Sequence, residues 1–176
     1  DVWAGRQAGS VVRTAEDSRP EAREIAEREL GPEIVAAALR IADSVAGRAS
    51  GPERLFMCHG LCETGSTPLR STLSDIRTWL LMNPTEVLVV IVEDHADPMT
   101  IAAEFEAAGL DDFAFEPDGE TPWPTLGEMI EADNRLVVMF ESGGGVDGAP
   151  WVLGAFEHAS DTAFTFPSVD DFNCDL

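Results

Sequence analysis

The sequence predicts an α/β fold with parallel strands. Two runs of aliphatic residues, EVLVVIV at 86–92 and RLVVMF at 135–140, are typical of strands that are buried on both faces of a parallel sheet. Helical patterns alternate with such runs along the chain, which is the order expected of βα units. The 176 residues, 44% of them hydrophobic, are enough for one globular domain.

The N-terminal third predicts one strand end and two helices before the next strand. Asp1-Val2-Trp3 is interpreted as the end of a strand, followed by a turn at Ala4-Gly5. A first helix is expected after Pro20, since proline is favoured at the first helical position, and Pro32 opens a second. Residues 18–48 are therefore interpreted as a helical insertion. A short buried strand follows at residues 54–58.

The rest of the chain continues the alternation of helices and strands. The segment from Thr67-Pro68 to Asn83-Pro84 predicts an amphipathic helix, because its apolar residues recur at helical spacing. Gly143–Gly145 is interpreted as a flexible loop. The other predicted elements are a strand at 86–92, a helix at 98–108, a short strand at 112–115, a helix at 124–132 and a strand at 135–140.

The charge balance excludes one class of partner. Thirty-three acidic residues stand against 11 basic ones, all arginine, for a formal net charge of −22. Such a field repels the phosphates of nucleic acids, so no nucleic-acid partner is expected. No apolar segment reaches the roughly 18 residues of a membrane span.

Polar residues follow each predicted strand. His59 follows the strand at 54–58, Glu93-Asp94-His95 follow 86–92, and Asp1 lies at the end of the first strand. The carboxyl ends of parallel strands converge on one face, where ligands bind. Capping or solvent exposure is the competing interpretation of the acids, and packing in a turn that of His59. His95 could also orient a neighbouring ligand.

The chain has three cysteines, and two of them lie close to His59, so a metal site and a disulfide are both considered. A structural zinc site usually needs four clustered ligands, and Cys58-His59 with Cys62 offers three donors. One disulfide and one free thiol fit the odd count better. Cys62 can pair with Cys58 or with Cys174, and Cys58 can equally be a packed free thiol.

Several stretches together resemble a known family. LFMCHGLCETG at 55–65, LSDIRTWLLMNPTEVLVVIVED at 73–94, and WPTL at 123–126 with RLVVMFE at 135–141 are similar to the phosphatidylinositol-specific phospholipase C X-domain superfamily, and within it to the bacterial phospholipase C-like phosphodiesterase branch. The resemblance runs from about Glu53 to about Trp151.

The resemblance implies a TIM-like (β/α) barrel, incomplete here because a closed barrel typically takes about 250 residues. The chain, residues 1–176, would be a single partial barrel domain that covers about the second to the fifth strand. The strand with the family's other catalytic histidine is expected upstream of Asp1, so the 176-residue chain alone is expected to be inactive.

The family's chemistry implies roles for three residues. It cleaves a phosphodiester with two histidines, and His59 matches the histidine that acts as general acid towards the leaving alcohol. Asp1 matches the acid of the family's Asp-x-Trp and Glu93 the acid at the end of the fourth strand, which in metal-dependent members bind calcium. The implied substrate is a phospholipid or a glycerophosphodiester, and the implied partner is a membrane surface that the protein contacts peripherally. The usual location of the family, together with the cysteines, implies an extracellular or cell-surface protein.

One departure from the family keeps two alternatives open. The calcium-dependent lipases have basic residues after the fifth strand, where this chain has Glu141-Ser142 and no lysine at all. Phosphorylated inositides are therefore poor candidate substrates. The first alternative is a catalytically silent barrel that serves as a cell-surface binding module. The second is a glycerophosphodiester phosphodiesterase.

Overall fold

The computed structural model describes residues 1–46, 51–119, 122–160, 166 and 168–172, and within them it has two separate β-sheets and six α-helices. The strands are β1 Val2–Ala8, β2 Val11–Thr14, β3 Glu53–Met57, β4 Thr67–Pro68, β5 Leu88–Val92, β6 Leu136–Phe140 and β7 Val152–Gly154. The helices are α1 Arg19–Leu30, α2 Pro32–Ala46, α3 Leu69–Met82, α4 Pro98–Ala107, α5 Leu126–Glu131 and α6 Ala155–His158.

The first sheet is antiparallel throughout, in the order β2-β1-β3-β4. The turn predicted at Ala4-Gly5 is wrong, because β1 continues to Ala8 and turns at Gly9 into β2. Gly5 lies inside the strand because β2 packs closely against it. A Cβ at this position would lie 2.9 Å from the Arg13 carbonyl oxygen. The glycine therefore permits a close strand contact rather than a turn.

The second sheet is parallel, in the order β5-β6-β7, and confirms the parallel direction predicted for the runs at 86–92 and 135–140. β6 is buried on both faces, but β5 is not. Its Leu88, Val90 and Val92 face the core, while Val89 and Ile91 are 54% and 55% exposed. The expectation that β5 is buried on both faces is wrong, because the apolar cluster on that side of the sheet, which includes Met129 of α5, packs over β6 and β7 and does not reach Val89 or Ile91.

The predicted TIM-like (β/α) barrel is wrong. A (β/α) barrel needs one closed sheet of parallel strands, each followed by a helix. In the described residues β1, β2, β3 and β4 pair antiparallel, and the three parallel strands belong to another sheet. Strand β1 is followed by a hairpin rather than a helix, so the fold is a combination of an antiparallel and a parallel sheet.

A two-bond seam joins the two sheets. The Val2 amide donates to the Glu93 carbonyl at 2.8 Å, and the His95 amide donates to the Val2 carbonyl at 3.1 Å. These bonds form a parallel bridge between the start of β1 and the residues that follow β5. The seam brings together chain segments that are more than 90 residues apart in sequence.

The helices largely match their predicted positions. The segment 18–48 contains α1 and α2, and α3 ends at Asn83 as predicted. The short strand expected at 112–115 is confirmed only in part: residues 111–113 form a 3-10 turn, and Ala114 makes an isolated parallel bridge with Leu136 of β6. Arg135, directly before β6, is buried, although an arginine at the entry of a strand is normally solvated. Among the described residues, no helix is long and apolar enough to cross a membrane.

Candidate active site

Asp1 and His59 meet because β1 and β3 run in opposite directions. Val2 is paired with Met57, so the start of β1 lies beside the end of β3, and the Cys58 amide donates to the Asp1 carbonyl at 3.3 Å. Asp1 was expected at the end of a strand. The structure instead places it just before β1, and the antiparallel pairing still brings it to His59.

His59 is exposed and lies next to a buried carboxylate. Its Nδ1 is 3.4 Å from Asp1 Oδ2, and its side chain is 64% exposed whereas that of Asp1 is 7% exposed. The Gly60 amide also donates to Asp1 Oδ2, at 3.4 Å. Asp1 can therefore orient the imidazole ring while the other ring nitrogen remains accessible to a ligand.

The turn that carries His59 is held from two sides. Cys58 and Cys62, both buried, form a disulfide, which selects one of the two predicted pairings of Cys62, while Cys174 lies outside the described residues. The Cys62 amide donates to Thr14 Oγ1 at 2.9 Å, and Thr14 in turn donates to the buried carboxylate of Glu63. Backbone contacts and a covalent bond thus fix the position of His59.

Gly60 lets this turn lie directly on helix α1. Its φ of 71° is in the left-handed region, and a Cβ there would lie 2.8 Å from the Ala22 carbonyl oxygen and 3.2 Å from the Ala26 Cβ. Ala22 and Ala26 are fully buried at this contact. Any side chain at position 60 would push the His59 turn off the helix.

A second group of side chains surrounds Asp1. One ligand atom from each of Asp1, Glu93 and His95 lies within 4.8 Å of the other two. The seam between the sheets causes this convergence, because it places Glu93 and His95 beside Val2. Asp1 therefore lies beside both of the other predicted site residues, with His59 on one side and Glu93, together with His95, on the other.

Trp3 and Glu21 hold the His95 ring in place, and Glu93 lies next to it. It stacks on the buried Trp3 ring with centroids 3.9 Å apart and an interplanar angle of 7°. Its Nδ1 is 3.0 Å from Glu21 Oε1, and its Nε2 is 3.7 Å from Glu93 Oε2. Nε2 is buried and has no hydrogen-bond partner within the described part of the chain. Nothing in the sequence pointed to Glu21, because it lies in α1 and approaches His95 only through the tertiary fold.

The donor set fits the predicted calcium only in part. Calcium binds six to eight oxygen ligands, and the carboxylates of Asp1 and Glu93 are of the kind it prefers. The third donor is an imidazole nitrogen, which suits first-row transition metals instead. The two predicted ligands are therefore compatible with calcium, and His95 is not.

Asp94 organises the loop after β6 rather than joining the cluster. Its carboxylate accepts hydrogen bonds from the Ser142 amide at 3.0 Å and from the Ser142 hydroxyl. The neighbouring Glu141 is exposed, and its amide donates to the Val92 carbonyl at 3.0 Å. This hydrogen bond fixes the backbone at Glu141, where the resemblance places a basic residue in the calcium-dependent lipases.

A cleft of about 920 Å³ opens beside His95 and Glu21. Three arginines line it, and each pairs with a carboxylate: Arg6 with Glu53, Arg13 with Asp43 and Arg19 with Glu63. Each of these arginine charges is therefore paired with a negative charge, and the preference for a head group stays a prediction.

The chain is similar to a protein family through its sequence. The family model described as PI-PLC X 1 matches residues 44–176, which include His59, Glu93 and His95 but not Asp1, Trp3 or Glu21. No solved structure matches the chain. The family match therefore does not extend to Asp1, whose role as a ligand stays a prediction.

Two curated relatives carry the same domain name. A PI-PLC X domain-containing protein 1 of the fungus Arthroderma benhamiae is 30% identical over 68% of this chain and 42% of its own length. A PI-PLC X domain-containing protein of Arabidopsis thaliana is 33% identical over 48% of this chain and 22% of its own length. The chain thus spans less than half of either relative. Both are eukaryotic, and the bacterial branch stays a prediction.

Proposed function

Because the chain belongs to the PI-PLC X domain family, we propose that it is part of a phosphoric diester hydrolase that cleaves a phospholipid or a glycerophosphodiester by acid–base catalysis. The observation that carries the proposal is the contact between His59 and Asp1. An exposed histidine 3.4 Å from a buried carboxylate is the arrangement of an oriented proton donor.

His59 would act on the leaving group. Nδ1 lies 3.4 Å from Asp1 Oδ2, and a carboxylate only accepts hydrogen bonds, so Nδ1 would carry the proton on the Asp1 side and Nε2 would be the nitrogen that serves the substrate. In the imidazolium form, Nε2 would pass its proton to the alcohol oxygen as the phosphorus–oxygen bond breaks, and the neutral ring would then take up a proton again. The attacking hydroxyl would come from the substrate, as in the family, and its base from a residue outside the described site.

Asp1 and Glu93 would also hold a divalent cation, for which calcium is the ion predicted from the sequence. The cation would supply positive charge against the phosphate oxygens, a role that the compensated arginines of the cleft do not fill. The buried position of the Asp1 carboxylate and the exposed position of Glu93 would leave one side of the site open to substrate.

The site would work at the surface of a lipid or on a soluble diester. We propose peripheral contact with the membrane and an extracellular or cell-surface location, for which the Cys58–Cys62 disulfide is the supporting observation. The substrate is proposed to be non-phosphorylated at the head group, because the chain is acidic and contains no lysine.

The test is an assay of the full-length gene product on phosphatidylinositol and on glycerophosphodiesters, each with calcium and with a chelator. We expect His59→Ala to lower kcat by about 100-fold or more, because general acid catalysis contributes about 10²–10⁴-fold. His158→Ala, which changes an exposed histidine against Trp123, is the matched control and should retain activity.

Two outcomes would contradict the proposal. Full activity of His59→Ala would remove His59 from the mechanism. A folded wild-type protein that hydrolyses neither class of substrate, with or without added metal, would favour the alternative of a silent binding module.

A further inference from the structure

We propose that His95 is a third metal ligand, that Glu21 orients it, and that the site with Asp1 and Glu93 binds a first-row transition-metal dication in preference to calcium. The inference deepens the proposed function, on which it rests for the role of the metal in catalysis. Its basis is the juxtaposition of Glu21, the His95 ring and the two carboxylates.

The hydrogen bond to Glu21 determines which ring nitrogen of His95 carries a proton. Nδ1 lies 3.0 Å from Glu21 Oε1, and a carboxylate can only accept, so Nδ1 is the donor. In a neutral ring Nε2 then carries a lone pair. This atom is buried and has no hydrogen-bond partner among the residues that the structure describes, and His95 belongs with Asp1 and Glu93 to a group whose ligand atoms converge within 4.8 Å.

Among the described residues, Nε2 of His95 faces carboxylates but no hydrogen-bond donor. The nearest carboxylate oxygen, Glu93 Oε2, is 3.7 Å away, which is too far for a hydrogen bond. Three groups with electron pairs therefore face one another across a gap, and a cation between them would satisfy all three. A metal-bound imidazole usually has this form: one ring nitrogen donates a hydrogen bond, and the other, without a proton, binds the metal.

Glu21 and Trp3 hold the His95 ring in the orientation of a metal ligand. Metal-binding histidines almost always donate their other ring N–H to a carboxylate, a carbonyl or a water, which fixes the ring and raises the basicity of the ligand. Glu21 has this place behind His95, and the Trp3 ring, stacked at 3.9 Å, fixes the plane of the imidazole. The ring is therefore oriented before any metal arrives.

The donor chemistry then selects the metal. Imidazole suits zinc, copper, iron and nickel, and carboxylate suits manganese, magnesium and calcium. A set of two carboxylates and one imidazole is a poor match for calcium, which binds oxygen alone. Zinc and manganese accept both donor types, so they are the ions to test.

The experiment uses the metal-free full-length gene product and measures binding rather than activity. Calorimetric titrations with Zn²⁺, Mn²⁺ and Ca²⁺ should show tighter binding of Zn²⁺ than of Ca²⁺. Pulsed EPR of the Mn²⁺ form should show coupling to a ¹⁴N nucleus. His95→Ala should remove that coupling, and His59→Ala should retain it.

The Glu21 contact has its own variant. Glu21→Gln should lower Zn²⁺ affinity by about 10- to 100-fold, the usual cost of losing the partner behind a metal-bound histidine. Glu24→Gln changes an exposed glutamate on the same helix and should leave the affinity unchanged. Circular dichroism of each variant confirms that it folds, and His158→Ala controls for adventitious binding to histidine.

Three outcomes of the binding experiments would overturn the inference. They are tighter binding of Ca²⁺ than of Zn²⁺, Mn²⁺ binding whose ¹⁴N coupling survives His95→Ala, and no binding of any of the ions. The last result is expected if His95 is an imidazolium ion paired with Glu21 and Glu93. Metal binding as described without diester hydrolysis would refute the proposed function alone, and hydrolysis with calcium that ignores His95→Ala would refute this inference alone.

Discussion

At the scale of single residues, Arg135 shows how a buried charge can join several elements. Its side chain is only 3% exposed at the start of β6. One guanidinium nitrogen donates to the carbonyls of Leu80 and Asn83, both at 3.1 Å, and another donates to Asp133 at 2.7 Å. The end of α3 is thereby tied to the entry of the parallel sheet.

We predict that Arg135→Met lowers the free energy of unfolding by about 3 kcal/mol, because it leaves buried carbonyls without donors and removes charge-assisted hydrogen bonds. Urea denaturation gives this value from the midpoint and slope. The control is Arg70→Met, which breaks the exposed pair with Glu104 and should have a much smaller effect. Equal effects of the two variants would show that burial of Arg135 contributes little.

The sequence could not predict the role of Arg135, for a physical reason. An arginine before an apolar run is normally a solvated entry, and its acceptors at Leu80 and Asn83 lie more than 50 residues away. His95 is a similar case. Its chemistry was visible after β5, but its partners Trp3 and Glu21 come from distant segments that only the tertiary fold brings together.

At the scale of secondary structure elements, helix boundaries were predicted well because local chemistry fixes them. Helix α4 begins at Pro98 as predicted, after Asp97, whose carboxylate accepts from the Thr100 amide at 2.9 Å and from its hydroxyl at 2.6 Å. Asn83 ends α3 in the same local way. Strand direction is different, because it depends on which distant strand becomes the neighbour.

The cap of α4 gives a prediction of pH dependence. Hydrogen bonds from the hydroxyl and then the amide of Thr100 lower the pKa of Asp97 below its ordinary value of 3.8. The charged carboxylate is therefore favoured in the folded state. Its stabilising effect is present above pH 3.8 and is lost as the pH falls through the lower folded pKa.

We expect Asp97→Ala to lower the Tm at pH 7, and the difference from wild type to shrink as the pH falls below about 4. Thermal unfolding monitored by circular dichroism over this range measures it. Asp97→Asn retains a capping oxygen without the charge and should stay closer to wild type, with little dependence on pH. A difference for Asp97→Ala that is constant from pH 7 to pH 2 would disprove the role of the charge.

At the scale of the whole molecule, the charge imbalance opposes compactness. The formal net charge is −22, and the exposed ion pairs that salt would weaken, such as Arg6–Glu53 and Arg23–Glu27, are individually weak. Repulsion among the 33 acidic residues should therefore be the larger of the two electrostatic effects.

We predict that the Tm rises as NaCl increases from about 0.01 M to about 0.15 M, because the screening length falls from about 30 Å to about 8 Å. Scanning calorimetry measures the change. Choline chloride at equal ionic strength is the control for a specific sodium effect and should give the same rise. A falling Tm would mean that the ion pairs outweigh the repulsion.

The same scale shows what the sequence could and could not predict about the fold. The parallel pairing of β5 and β6 was predicted, because aliphatic runs of this kind are typical of parallel sheets. The antiparallel sheet was missed because Gly5 was interpreted as a turn residue. The convergence of His59 and Asp1 was nevertheless found, since the start of β1 lies at the same edge as the end of β3.

The contact between the His59 turn and helix α1 has a consequence for sequence divergence. The backbone at Gly60 would place a Cβ 2.8 Å from the Ala22 carbonyl oxygen and 3.2 Å from the Ala26 Cβ, so side chains at positions 26 and 60 would compete for one small volume. A lineage that enlarges either of them must reshape the turn or shift the helix. Both positions should therefore stay small among relatives that keep α1, and where the helix has been lost position 26 should vary freely, whereas the φ of 71° should still favour glycine at position 60.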